Sequence, residues 1–211
     1  NKNLQQTTLQ TIKTDFTSYD PELYIPLTFA SYRIDMLLGG SPTVFHVHNV
    51  LLHALNALLV AWLVWLLVGT GWIGVASGFL FLLHPLNVEA AAWIAARKDV
   101  LSTAFFLGSL IAYIGWVRTD KRTIYALSLA LFLLGLLSKV MVIALPVVLL
   151  LIDWFQGRRM TVKSLMAKLP FFTLSVIFGI VANSRLQKLF HVCPGGSVIL
   201  LYPVTSPRSS M

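Results

Sequence analysis

The sequence predicts an all-α integral membrane protein, a polytopic helical bundle of about six transmembrane helices. Three observations carry that prediction. Hydrophobic residues make up 57% of the chain and charged residues only 11%. The mean hydropathy is +0.78, and the apolar residues fall in long runs without two-residue alternation. A soluble domain carries about 25% charged residues. The charges here are too few to cover a water-exposed surface, so lipid must solvate much of the chain.

Taken in order, residues 1–45 are polar to mixed and punctuated by Pro21, Pro26, Gly39, Gly40 and Pro42. Within them, Ile25 to Leu38 is expected to form a short interfacial helix. The first clear span runs from about Val47 to Val68, and the turn Gly69-Thr70-Gly71 leads into a short second run, Trp72 to Leu83, which stops at His84-Pro85. Leu86 to Lys98 is less apolar and reads as an interfacial or re-entrant helix. Further spans follow near Val100–Val117, Thr123–Leu137, Val140–Phe155 and Leu169–Ala182. The organisation expected is an external loop over 1–45, a multi-span domain over 46–190 with an external segment at 84–99, and an unstructured tail over 191–211. The chain opens on polar sequence at Asn1 and reads as a piece of a longer protein.

Net charge is +8, from 16 Lys and Arg against 8 Asp and Glu. In a soluble protein this would suggest nucleic acid. Here the basic residues gather in short loops between apolar runs, which excludes that class and sets orientation instead. Arg118, Lys121 and Arg122 occupy one such loop, and Arg158, Arg159, Lys163 and Lys168 another. Both are expected on the cytoplasmic side. Residues 1–45, the segment 84–99 and the turn at Ser138-Lys139 then share the opposite, periplasmic or luminal side, where Arg97, Lys98 and Lys139 break the charge rule. The single Cys193 excludes an internal disulfide and a cysteine zinc site.

The first span carries His46, Asn49, His53 and Asn56 on one helical face, a stripe that reads as interhelical glue and not as a metal site. The richest cluster is HPLNVEAAAWIAARKD, His84 to Asp99. Continued as a helix from Val88, it puts Glu89, Trp93 and Arg97 on one wall, with a Glu89–Arg97 ion pair and Asp99 as the N-cap of the next helix as the structural alternative. Charges near lipid cost about 2.5–3.5 kcal/mol each, so they need partners or a water-filled cavity. Lys139, between two spans, is a candidate phosphate contact, and Arg33 in the first loop is a weaker one. Asp153, Arg158 and Arg159 read as interface anchors.

The stretches YIPLTFASYRID, FHVHNVLLHALNALL, HPLNVEAAAWIAARKDVLSTAFF and LLSKVMVIALPVVLLLIDW together resemble the membrane region of the protein O-mannosyltransferase-like family whose C-terminal half carries tetratricopeptide repeats. The resemblance runs from about Asn3 to Ala182, and its specific part is the stretch around Glu89 and Arg97. It implies a GT-C type glycosyltransferase that moves a sugar, mannose in this family, from a polyprenyl-phosphate carrier to protein hydroxyls on the external face of a membrane, the bacterial inner membrane being the expected one. Membrane lipid, the lipid-linked sugar and a protein acceptor are the implied partners, nucleic acid is not among them, and a divalent metal is compatible with the chemistry.

The resemblance also implies that the main acid lies upstream of residue 1. Glu89 and His84 match the family's second external loop and are the candidate catalytic residues of this chain. Arg97, Lys98, Lys139 and Arg33 are the candidate substrate-binding residues. Val140 departs from relatives that carry Glu or Pro there, and the sequence after about Arg185 departs altogether. Two further functions compete: a transporter or flippase, suggested by the short run ending at His84-Pro85, and an inactive membrane anchor for helical repeats.

Overall fold

In the computed structural model, residues 25–158 and 161–189 are described. They form helices, with no strand among them. The expected interfacial helix is present as α1 (Pro26–Leu37), opened by its own proline. The first span is α2 (Pro42–Val68), capped by the Ser41 hydroxyl accepting from the Val44 amide. Then come α3 (Gly71–Leu83), α4 (Pro85–Ala92), a 3₁₀ turn at Ile94–Ala96 and α5 (Arg97–Thr119). The chain continues through α6 (Arg122–Ser138), a second 3₁₀ turn (Val140–Ala144), α7 (Leu145–Phe155), the one-turn α8 (Val162–Met166) and α9 (Leu169–Leu189). Residues 1–24 and the proposed tail at 191–211 lie outside the described residues.

Among the described residues, three segments are long and apolar enough to cross a membrane: Pro42–Val68, Ile94–Thr119 and Ser164–Val181. Gly71–Leu83, Arg122–Ser138 and Val140–Phe155 are apolar but shorter. The thirteen residues of α3 reach only about 20 Å at 1.5 Å per residue, against a hydrocarbon core of about 30 Å. Half of the most apolar stretch of Ile94–Thr119 is buried, against 17% for each of the other two. That difference makes α5 the central helix. It packs along α2 on one side and α6 on the other, while α3 lies against α2. A core of Leu110, Ile114, Phe132, Leu136, Leu145, Leu149 and Phe171 joins α5, α6, α7 and α9. The outward faces of α2 and α3 carry Leu58, Trp62, Trp65, Phe79 and Leu80, all exposed, as a lipid-facing surface requires.

Small residues set the α2–α3 distance. A Cβ added at Gly74 would sit 2.5 Å from the Ala61 carbonyl oxygen, and one at Gly78 would sit 2.8 Å from that of Ala57. Both obstacles are backbone, so the helices must part to admit a methyl group. We expect Gly78→Val to destabilise the chain by about 1–3 kcal/mol, read as a lowered midpoint of thermal unfolding in detergent. A midpoint equal to that of the native chain would show that the close approach contributes nothing.

The end of the bundle that carries the basic loops is held by polar contacts. Arg118 donates to the Leu66 carbonyl and Arg158 to that of Val117 at 3.3 Å, which brings both loops to one end. Asp153 is not the interface anchor the sequence suggested. It is 1% exposed, and its Oδ2 accepts from Lys168 Nζ at 2.5 Å, Tyr113 Oη at 3.0 Å and Ser164 Oγ at 3.1 Å. Arg159 lies outside the described residues.

Candidate functional site

The opposite end collects the residues the sequence singled out, and breaks in the helices place them there. Pro85 has no amide hydrogen, so the last turn of α3 loses backbone partners at the break. Side chains replace them. Asn87 Nδ2 donates to the Phe81 carbonyl at 3.1 Å, and His53 Nε2 donates to that of Leu82 at 3.1 Å. A second break follows at Trp93, which has ψ 123°. There Asn49 Nδ2 donates to the Trp93 carbonyl at 2.9 Å and Tyr32 Oη to that of Ile94 at 2.7 Å. Asn56 Nδ2 reaches the Val100 carbonyl at 2.8 Å. Three of the four residues in the polar stripe of α2 therefore satisfy backbone on the neighbouring helices. The fourth, His46, is exposed; its neighbour His48 turns inward instead and pairs with Asp35.

Arg97 opens α5 just past the second break and is 2% exposed. Its guanidinium donates to Asp35 Oδ2 at 2.7 Å, to the Phe45 carbonyl at 2.9 Å and to Asn49 Oδ1. The Tyr32 ring lies 5.5 Å from Arg97 Cζ. Burial, opposed in part by the Arg97 charge, pushes the Tyr32 phenol above its ordinary pKa, so it stays a neutral donor. Arg97 thus ties α1, α2 and α5 together through three of its five N–H donors.

The single wall of Glu89, Trp93 and Arg97 does not form, because the chain leaves the α-helix at Trp93. Arg97 pairs with Asp35 and not with Glu89. Asp99 is not an N-cap either. It sits in the first turn of α5, where its charge is favourable to the helix dipole, and pairs with Lys139.

His84 and Glu89 are exposed at the two ends of α4's first turns, and their side chains make no hydrogen bond or ion pair among the described residues. Lys98 is half-buried. Arg33, in α1, is 4% exposed and so lies inside the fold. Lys139 follows α6, whose end is tied to α1 by Thr28 Oγ1 donating to the Ser138 carbonyl at 3.2 Å. A pocket of about 200 Å³ opens beside it, lined by Asp99, Ser102, Thr103, Phe106, Lys139, Met141 and Val142. Its lining combines a cation, a carboxylate and two hydroxyl side chains with the apolar Phe106, Met141 and Val142.

Sequence reasoning did not single out Asp35 as the partner of Arg97, His48 as the second partner of Asp35, or Asp99 as the partner of Lys139. Only the charge balance hinted at them, since every buried cation at this end needs an acid and Asp35, Glu89 and Asp99 are the acids there among the described residues.

No protein-family model and no solved structure matches the chain. Curated relatives do. Protein O-mannosyl-transferase TMTC2 of Homo sapiens is 40% identical over 92 residues, covering 43% of this chain and 11% of the relative. Protein O-mannosyl-transferase Tmtc2 of Drosophila melanogaster is 34% identical over 140 residues, 63% of this chain and 15% of the relative. Tmtc1 of the same fly is 34% identical over 119 residues, 54% of this chain and 13% of the relative. The chain thus spans between 11% and 15% of the length of these relatives. Identity at this level across several such proteins shows that the chain is similar to part of the TMTC-like proteins, which are named protein O-mannosyl-transferases.

Proposed function

We propose that the chain is part of a multi-pass, GT-C type membrane glycosyltransferase that moves mannose from a polyprenyl-phosphate carrier to protein hydroxyls. In this reading the shorter apolar helices complete a bundle of about six crossings, and the end bearing Lys139 faces away from the cytoplasm. One observation carries the reading. The pocket at Lys139 brings a cation and hydroxyls together with the apolar Phe106, Met141 and Val142, which suits a phosphate on an isoprenoid chain. The names of the relatives support the same chemistry.

The reaction is displacement at the anomeric carbon. The acceptor hydroxyl oxygen bonds to that carbon, the bond from carbon to phosphate oxygen breaks, and the hydroxyl proton passes to a carboxylate. Charge grows on the departing polyprenyl phosphate, where Lys139 and Lys98 would stabilise it. Glu89 and His84, exposed on α4, orient the acceptor. Arg97 and Arg33 are buried and act as positioning residues, Arg97 by holding α1 against α5 through Asp35. The main acid lies outside the described residues.

In the full-length protein, Lys139→Gln should lower kcat for mannosyl transfer about a hundredfold, the usual effect of removing one donor to a developing anion. The Lys139–Asp99 pair is partly exposed, 24% and 34%, so its loss costs less than about 1 kcal/mol of stability and cannot mimic that effect by unfolding. Transfer within twofold of the native rate would remove Lys139 from the site. A membrane anchor without catalysis is the second reading, favoured by Arg97 being buried with Nε and Nη2 donating to internal acceptors. It predicts no mannosyl transfer by any variant or by the native protein.

A further inference from the structure

The opposite end of the bundle holds a second pocket, of about 280 Å³, between the end of α5 and the α7–α8 connection. It lies outside the site above, and its chemistry is different. Arg158 lines it, 41% exposed, with the Thr161 hydroxyl beside it. One Arg158 nitrogen donates to the Val117 carbonyl, and another faces Asp153 at 3.9 Å, too far for a hydrogen bond. Most of its five N–H donors are left for a ligand.

Arg118, Lys121 and Arg122, all exposed, add to the positive field at this end, and such basic pockets between membrane helices take phosphate headgroups. A plain anion does not explain the whole lining, however. Asp120 also faces the pocket, exposed and without an ion pair among the described residues, and Trp116 lies beside it. A free carboxylate beside an indole selects an ammonium group. A guanidinium, a hydroxyl and a carboxylate around one headgroup-sized space therefore ask for a phosphate and a primary amine in the same molecule.

We propose that this pocket seats the headgroup of a phosphatidylethanolamine-type lipid, with the phosphate diester on Arg158 and Thr161 and the ammonium on Asp120 and the face of Trp116. The apolar rim of Val117 and Ala167 receives the glycerol end, and the acyl chains run outward between the helices into the bilayer. Asp153 does not compete for the ammonium, because Lys168 neutralises it from the buried side.

The test is native mass spectrometry of the full chain released from nanodiscs holding equal parts phosphatidylethanolamine, phosphatidylglycerol and phosphatidylcholine. Phosphatidylethanolamine should be retained about tenfold over both others, as one or two charge-assisted hydrogen bonds allow. Arg158→Gln should reduce retention of phosphatidylethanolamine and phosphatidylglycerol together. Asp120→Asn should lower phosphatidylethanolamine to the level of phosphatidylglycerol and leave the latter unchanged; Asn tolerates the left-handed backbone at this position, φ 53°. Arg118→Gln removes the same charge from the same end without lining the pocket, and should leave the preference among the three lipids as it was. Equal retention of the three lipids, or of phosphatidylethanolamine and phosphatidylglycerol, overturns the proposal. So does an Arg118→Gln effect as large as that of Arg158→Gln, since binding would then be diffuse. If Arg158→Gln lowers the yield of folded chain, the Asp120→Asn arm alone decides.

Discussion

Arg97→Ala should destabilise the chain by about 3–5 kcal/mol, the cost of breaking a buried ion pair from one side. Two effects contribute, and their sizes differ. Interhelical hydrogen bonds in membrane proteins average only about 0.6 kcal/mol each, so losing the bonds to Phe45 and Asn49 accounts for the smaller part. The larger part comes from Asp35, 1% exposed and stripped of its main counter-charge. His48 remains as a second partner for Asp35, which holds the loss toward the lower end. The check is a double-mutant cycle on thermal unfolding in detergent. Adding Asp35→Asn to Arg97→Ala should restore more than half of the loss, because the stranded charge is then gone. If the two substitutions add, Asp35 and Arg97 are not coupled and the arrangement at this end of the bundle is wrong. Arg97→Lys should fall between, since an ammonium cannot span three acceptors in one plane.

Lys168→Met is expected to cost a similar amount, about 3–5 kcal/mol, at the other end. Lys168 is 0% exposed and Asp153 1%, so neither can turn to water when the other is removed. Tyr113 and Ser164 still donate to Asp153, but neutral donors do not replace a cation in a poorly polarisable surrounding. Arg158 is no substitute at 3.9 Å and 41% exposure. Arg158→Gln should therefore shift stability by less than about 1 kcal/mol. Measured side by side, the two variants separate a buried pair from a solvated one on the same carboxylate. Equal effects would mean that Asp153 reaches water.

Both pairs follow from one constraint. The helices of this chain are broken beside prolines and at Trp93, and every break exposes backbone groups that lipid cannot satisfy. Asn49, His53, Asn56, Asn87 and Tyr32 meet those groups from neighbouring elements. The same packing that brings these donors in also carries ionisable groups inside. Paired, they are tolerated and lock the register of α1, α2 and α5.

How much of this was legible beforehand depends on the range of the interaction. The boundaries of α1, α5 and α6 and the end of α2 were readable closely, because Pro26, Gly69 and the basic loop at 118–122 act locally, but α2 starts at Pro42 and not near Val47. The inward face of α2 was readable too, from helical spacing alone, for Asn49, His53 and Asn56. The helix drawn through Trp93 was not, since nothing in the run AAAWIAARK disfavours helix. It breaks because Asn49 and Tyr32, distant in sequence by 44 and 62 positions, accept the cost of the freed carbonyls.

Composition and apolar run length sufficed to establish a helical membrane protein, since burying hydrophobic surface and satisfying backbone in lipid leave few alternatives. Which acid meets which base was settled only by the packed bundle. Arg97 had Glu89 eight positions away and found Asp35 on another helix, and Asp153 left the interface for Lys168. An ion pair forms where two side chains are brought within reach and shielded from water, and neither distance nor shielding is written in the order of residues.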